Sequence, residues 1–97
     1  MAAAEKTLTE VGRDHLGKYE IVTGTVTIAT TLDWIVLSDH NLGSPPIYVH
    51  AHTAADGVDG EAFWDTSTPD KVFFTQTGAM RVLIIAPSLE STGGDSR

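Results

Sequence analysis

The stretch "LDWIVLSDHNLGSPPIYVHAHTA", residues 32–54, contains the pattern that decides the fold class. An apolar run rich in Val and Ile is followed by a segment with Asn, Gly and two prolines, and then by a second apolar run. Because Asn and Gly favour turns and Pro-Pro forces an extended backbone, "HNLGSPP" is predicted to connect two strands. Leu42 in this connection is expected to cap one end of the core.

Further runs of β-branched and aromatic residues lie on both sides of this stretch, each bounded by turn residues. They predict strands at residues 19–30, 32–39, 46–54, 61–67, 71–76 and 80–86. Short strands separated by turns at this spacing are typical of sandwiches and small barrels. The sequence therefore predicts an all-β protein, a small antiparallel β-sandwich of about six to seven strands.

Composition divides the chain of 97 residues into one small domain with two flanking segments. Residues 1–18 have few apolar side chains and are interrupted by Gly12 and Gly17. A short helix at residues 2–10 and an extended N-terminal arm fit this pattern equally well, and the arm is the prediction made here. Such an arm is mobile when free and ordered on a partner. Residues 19–87 are the predicted sandwich domain, and residues 88–97 have the composition of a flexible C-terminal tail.

The chain is strongly acidic, with thirteen Asp and Glu against six Lys and Arg and a net charge of -7. Nucleic-acid affinity comes mainly from Lys and Arg, so no direct contact with nucleic acid is expected. The alternative interpretation is that the acidic charge serves only to keep the protein soluble. The absence of Cys excludes disulfides and thiolate metal sites. No run of about eighteen apolar residues occurs, so no membrane partner is expected.

His50 and His52 stand two residues apart on one face of a predicted strand, a spacing that suits a metal ion. A zinc site needs at least a third protein ligand, and Asp39, His40 and Asp56 are the candidates for it. Without a recognisable partner motif, polar histidines at a surface or interface are the favoured interpretation. No metal site is predicted.

The pair Asp39-His40 next to Ser38 resembles part of a catalytic arrangement, but it lacks the glycines of a nucleophile elbow. The sequence also has no phosphate-binding loop and no dinucleotide-binding motif. The prediction is a protein that is not an enzyme, with no catalytic residues and no cofactor.

Three predicted strands, which contain "WIVL", "FFT" and "VLIIA", have neighbouring apolar residues, so the domain has more apolar surface than a two-layer monomer easily covers. This excess predicts a subunit interface in an oligomer, which also adds stability to a small domain. The residues assigned to that interface are Trp34, Ile35, Leu37, Val82 and Ile84.

The motif "HNLG" with a proline shortly after it resembles a recurrent signature of small β-sandwich modules in virion proteins of tailed bacteriophages. The similarity continues through the Pro-led strand, the Gly/Asp-rich turn "AADG", the strand "EAFWDTS" and the closing strands "KVFFTQTGAMRVLIIA", and covers residues 24–87. Phe63-Trp64 stands where these modules often have Tyr-Trp. Similar modules occur in tail-fibre tips, in capsid decoration proteins and, more distantly, in trimeric H-type lectins.

This resemblance implies a structural virion protein, and the chain length favours a capsid decoration (cement) protein over a fibre tip. Such a protein is expected on the outer capsid surface as a homotrimer, with the major capsid protein as its partner. The predicted arm would make the capsid contact through Leu8, Val11, Arg13 and Leu16.

The alternative implied by the resemblance is a receptor-binding or carbohydrate-binding module of a phage tail. Aromatic and acidic residues in loops can stack on a sugar and form hydrogen bonds with it. The candidate ligand residues are Asp56, Asp59, Trp64 and Asp65.

Overall fold

A computed structural model describes residues 2–89, which form two antiparallel sheets. The strand order is β1-β2-β7-β4 in one sheet and β3-β6-β5 in the other, which confirms the predicted all-β antiparallel sandwich. No helix within residues 2–89 is long and apolar enough to cross a membrane. The elements are β1 (Thr9–Leu16), β2 (Tyr19–Ile28), β3 (Trp34–Val36), a 3₁₀-helix (Leu37–His40), β4 (Tyr48–Thr53), β5 (Ala62–Asp65), β6 (Thr68–Phe74) and β7 (Gly78–Pro87).

One hydrophobic core lies between the sheets and takes every second residue of the strands. In β7 the buried residues are Met80, Val82 and Ile84, and in β6 they are Val72 and Phe74. Successive side chains of a strand point to opposite sides of the sheet. Each sheet therefore presents one face to the core and one outer face.

The connection between β3 and β4 has the structure predicted for "HNLGSPP". Asn41 ends the 3₁₀-helix with a φ of 61°, in the left-handed region that Asn tolerates. Leu42 is fully buried in the core, as expected. The backbone N–H of Gly43 donates a hydrogen bond to the backbone oxygen of Pro87 at 2.7 Å, which fastens the connection to the end of β7.

The predicted strand at residues 32–39 is shorter than expected. Only Trp34–Val36 pair as β3, and the 3₁₀-helix Leu37–His40 follows directly. Ser, Asp and His at the end of this run favour a turn over a strand, since their side chains compete for backbone hydrogen bonds.

The structure corrects the predicted arm at residues 1–18. Thr9–Leu16 form β1, an edge strand of the four-stranded sheet that pairs with β2. Ahead of it, the N–H of Lys6 donates to the oxygen of Trp34 at 2.6 Å, and the N–H of Trp34 donates to the oxygen of Ala4 at 3.2 Å. Leu8 is 3% exposed and belongs to the core. Backbone pairing of this kind depends little on composition, which is why few apolar residues suggested an arm.

A buried carboxylate holds this N-terminal segment against the loop between β2 and β3. Asp33 is 1% exposed, and its Oδ1 accepts the backbone N–H of Ala4 at 2.8 Å. Its Oδ2 accepts the N–H groups of Ala29 and Thr30, both at 2.9 Å. The Nζ of Lys6 lies 3.9 Å from Oδ2. Asp33 thus links two backbone segments by accepting three N–H groups through one side chain.

The described C-terminal end is also tied to the sandwich. The backbone N–H of Ser88 donates to the oxygen of Lys18 at 2.8 Å, and Ser88 forms a β-bridge with Leu42. The predicted tail therefore does not begin at residue 88, and its remainder, residues 90–97, lies outside the described residues.

The subunit interface predicted from the sequence is corrected for four of its five residues. Ile35, Leu37, Val82 and Ile84 lie in the core of the single chain, where its own two sheets cover them. Trp34 alone is half-buried and lies on the outer face of the three-stranded sheet. Exposed apolar surface is present, but it is formed by the residues of the same strands that point away from the core.

Candidate functional site

His40, which the sequence raised as a partner of Asp39, has a structural place in the fold. Its ring is buried, and its Nε2 accepts the backbone N–H of Leu8 at 3.4 Å. Its backbone oxygen accepts a hydrogen bond from Nη2 of Arg13 on β1. His40 therefore fastens the start of β1 to the β3–β4 connection.

Burial lowers the pKa of His40 below its ordinary value of 6.5, and the positive charge of Arg13 lowers it further. Glu10 and Asp39 act in the opposite direction but do not reverse the shift. The neutral imidazole is also the form whose Nε2 accepts the N–H of Leu8.

This lowered pKa predicts that the protein loses stability in mild acid. The contribution of neutral His40 is fully present above the unfolded-state pKa of about 6.5 and is lost as pH falls from there through the lower folded-state pKa. Thermal melts between about pH 7.5 and pH 5 should show a falling Tm. His40→Gln, which keeps an acceptor without a titrating group, should flatten this decline. An equally steep decline in His40→Gln would assign it to other groups.

His50 and His52 lie side by side on β4, on the outer face of the four-stranded sheet. Their ring centroids are 6.0 Å apart. Asp59 of the following loop approaches within 3.8 Å, from its Oδ1 to Nε2 of His50. Within residues 2–89 no group of three or more His, Asp or Glu side chains is arranged to hold a metal ion.

The candidate ligand residues do not meet at one site. Asp56 and Asp59 precede β5, whereas Trp64 and Asp65 stand at its far end. Asp56 accepts a hydrogen bond from the hydroxyl of Thr53 at 2.6 Å. The four residues are therefore divided between the loop before β5 and the last two residues of β5.

Asp65 is occupied by its own turn. Its Oδ1 accepts hydrogen bonds from the hydroxyl and N–H of Ser67, at 2.7 and 3.0 Å, and from the N–H of Thr68 at 3.1 Å. The Ser67 hydroxyl is the main cause that lowers the pKa of Asp65. This carboxylate stabilises the β5–β6 hairpin turn.

The outer side of the four-stranded sheet, here named the four-strand face, carries an apolar patch. Ile85 on β7 lies between Ile21 on β2 and Tyr48 on β4, and Leu83 lies between Thr23 and His50. These side chains keep exposed surface in the single chain. The apolar members of the face are Val11, Leu16, Tyr19, Ile21, Tyr48, Leu83 and Ile85.

The charges of the four-strand face differ from those of the whole chain. Among the outward positions of its four described strands, Asp14 on the edge strand is the one acid, whereas Arg81 lies on the central strand β7. A groove of about 440 Å³ crosses the face, and no carboxylate lines it. Its walls include Val11, Leu83 and Arg81. At its outward strand positions the face is apolar and carries one acid and one base, on a protein of net charge -7.

The outer side of the three-stranded sheet carries aromatic rings, and we name Trp34, Phe63, Phe73 and Lys71 the aromatic face. The rings of Trp34 and Phe73 have centroids 6.2 Å apart, and those of Phe63 and Phe73 are stacked at 5.5 Å. The Nζ of Lys71 lies 5.0 Å from the centre of the Trp34 ring, a cation–π contact. Phe63 remains 39% exposed.

Sequence reasoning missed most residues of both faces, although the signal was present. The strand "MRVLIIAP" is apolar at both alternating positions, and only one set can enter the core. Val82 and Ile84 were assigned to the interface, but the structure places them in the core and places Leu83 and Ile85 on the outer side. On the other sheet, Trp34 was assigned to the subunit interface, and it lies half-buried on the outer side of the sheet.

Comparisons of the chain with protein-family models, with curated proteins and with solved structures found no match.

Proposed function

We propose that this protein is a structural virion protein of a tailed bacteriophage, a capsid decoration protein that binds and stabilises the outer surface of the major capsid protein lattice as a homotrimer. The resemblance around "HNLG" supports the phage assignment, and the sandwich fold is compatible with it. The observation that carries the proposal is the pair of uncovered apolar surfaces, the four-strand face and the aromatic face.

A protein of this kind has to bind on two sides. It contacts other copies of itself and, separately, the shell beneath, and each contact needs a patch of apolar surface with few charges at its centre. Monomeric proteins seldom carry large exposed apolar patches without a partner. Here one such patch lies on the outer side of each sheet, so the two contacts can be made at the same time.

The aromatic face is assigned to the capsid contact. Aromatic residues and Arg contribute most to binding at protein interfaces when they are packed at the centre of the contact. The predicted arm residues no longer fit this role, since Leu8 belongs to the core and Arg13 binds Glu10, Glu20 and the backbone of His40. Val11 and Leu16 belong to the four-strand face.

The location of the protein in purified particles tests the proposal directly. Antibodies raised against the purified chain should label the capsid shell of separated virion parts and leave the tails unlabelled. Labelling of tails alone would instead favour the receptor-binding or carbohydrate-binding alternative. Absence from both parts would exclude a virion protein.

The aromatic face makes a second, quantitative prediction about capsid binding. Phe63→Ser should weaken binding to capsids that lack this protein by at least about tenfold, since truncation of a central aromatic residue costs about 2 kcal/mol or more. Binding is measured by co-sedimentation with capsids over a range of protein concentrations.

Val58→Ser is the matched control, because Val58 is 52% exposed on the loop before β5 and lies outside the aromatic face. Both variants should keep the circular-dichroism spectrum of the parent. Equal binding of Phe63→Ser and the parent protein would remove the aromatic face from the contact.

A further inference from the structure

We infer that the four-strand face is the surface through which copies of this chain associate, with Leu83 and Ile85 at its centre. The inference deepens the proposed function and rests on it for the number of subunits. The location of the contact follows from the apolar pattern of β7, the size of the face and its charges.

The central strand β7 is apolar on both of its sides. An antiparallel strand with one solvated face alternates apolar and polar residues, whereas a strand covered on both faces is apolar throughout. Met80, Val82 and Ile84 enter the core, and Leu83 and Ile85 point outward with apolar neighbours on β2 and β4. The pattern of β7 is that of a strand with a second covering layer.

The face is large enough for a subunit contact. Four strands at about 4.8 Å spacing and about 3.3 Å per residue give a surface roughly 15–20 Å wide and 30 Å long. That corresponds to several hundred Å², of the same order as the roughly 800 Å² that each partner contributes to a standard stable interface. Tyr48, which is 48% exposed, and Val11 extend the apolar patch toward the two edge strands.

The distribution of charge favours a second copy of the chain as the partner that covers the four-strand face. Two copies of a chain with a net charge of -7 repel each other over most of their surface. That repulsion is small at the four-strand face, since Asp14 is the one acid among its outward strand positions. Arg81 forms no salt bridge within residues 2–89 and can pair with a carboxylate of the neighbouring copy.

Sedimentation velocity of the purified full chain tests this inference without capsids. The parent protein should sediment as an oligomer, and Leu83→Glu should sediment as a monomer, with a dissociation constant raised at least a hundredfold. Thr66→Glu is the matched control, because it adds the same charge at an exposed position in the turn between β5 and β6, on the other sheet. It should remain oligomeric.

Circular dichroism and thermal melts establish that each variant is folded. If Leu83→Glu does not fold, Tyr48→Glu on the edge strand β4 is the second variant, and it should also dissociate the oligomer. A parent protein that stays monomeric at high concentration, or folded variants that stay oligomeric, would overturn the inference.

The sedimentation experiment and the capsid experiments can fail independently of each other. If the parent protein associates through the four-strand face but is absent from virions, the inference stands and the proposed function fails. If Phe63→Ser loses capsid binding while Leu83→Glu remains oligomeric, the proposed function stands and the inference fails.

Discussion

Replacing Asp33 by Ala is expected to lower the free energy of unfolding by about 3–5 kcal/mol, because three partly buried N–H groups lose a charged acceptor that is itself buried. Those groups belong to Ala4, Ala29 and Thr30. For a domain of this size the loss corresponds to a fall in Tm of roughly 15–30 °C. Thermal melts followed by circular dichroism, together with urea denaturation at pH 7, measure the effect.

The pKa of Asp33 predicts when this contribution disappears. Burial raises the pKa of the carboxyl, but the hydrogen bonds from Thr30, Ala4 and Ala29 and the charge of Lys6 outweigh burial and lower it below 3.8. The stabilisation is therefore present above the unfolded-state pKa of about 3.9 and is lost as pH falls through the folded-state value. The stabilisation by Asp33 is lost at lower pH than the stabilisation by His40. The two losses therefore appear in different pH ranges when stability is measured against pH.

Two further variants keep the Asp33 prediction testable. Asp59→Ala removes the same carboxylate from an exposed position and should change Tm by no more than a few degrees. Asp33→Asn retains one acceptor oxygen and should fall between the parent and Asp33→Ala. A Tm for Asp33→Ala close to that of Asp59→Ala would mean that the three N–H groups find water or other acceptors.

The sequence predicted the strands best where local chemistry determines the backbone. The connection at residues 40–46 was predicted from Asn41, Gly43 and the two prolines, whose conformational preferences act without distant partners. Leu42 was placed in the core because it is the apolar residue of that connection. The alternation of β4 was predicted in the same way: His50 and His52 share one face of the strand, and that face is the outer one.

Which of two apolar faces enters the core could not be predicted from β7 alone. Val82 and Leu83 are both suitable for a core, and the choice depends on the register between β7 and its neighbours β2 and β4. In β2 the alternation of Thr and Val shows which face enters the core, since Val22 is buried and Thr23 is exposed. The register pairs Thr23 with Leu83, so Leu83 shares the outer face with Thr23. Pairing with β2 therefore determines which face of β7 enters the core, and the local pattern of β7 does not.

The N-terminal segment was predicted least well, because its place depends on contacts with residues far along the chain. Asp33 holds Ala4, and His40 holds Leu8. These partners are separated by 29 and 32 positions, a distance that neither composition nor periodicity reveals. The same contacts imply that deleting residues 2–16 removes a strand and a core residue, and the shortened chain is not expected to keep the stability of the parent.

Leu8→Ala is expected to lower the free energy of unfolding by about 2–5 kcal/mol, the usual cost of truncating a buried leucine. Leu8 is 3% exposed, and its side chain contributes to the core from the segment just before β1. It also packs near β2, where a Cβ on Gly24 would lie 3.0 Å from its Cγ. A cavity there would remove contacts from the core and loosen the start of the edge strand.

Leu16→Ala provides the comparison, since Leu16 is the same residue type in the same segment but is 70% exposed. Its truncation should change the free energy of unfolding by no more than about 0.5 kcal/mol, as for most surface substitutions. Urea denaturation of both variants in the monomeric Leu83→Glu background, which removes any contribution of Leu16 to the subunit contact, separates the two cases. A mobile arm would give equally small changes at both positions, and that result would contradict the placement of residues 4–16 in the sandwich.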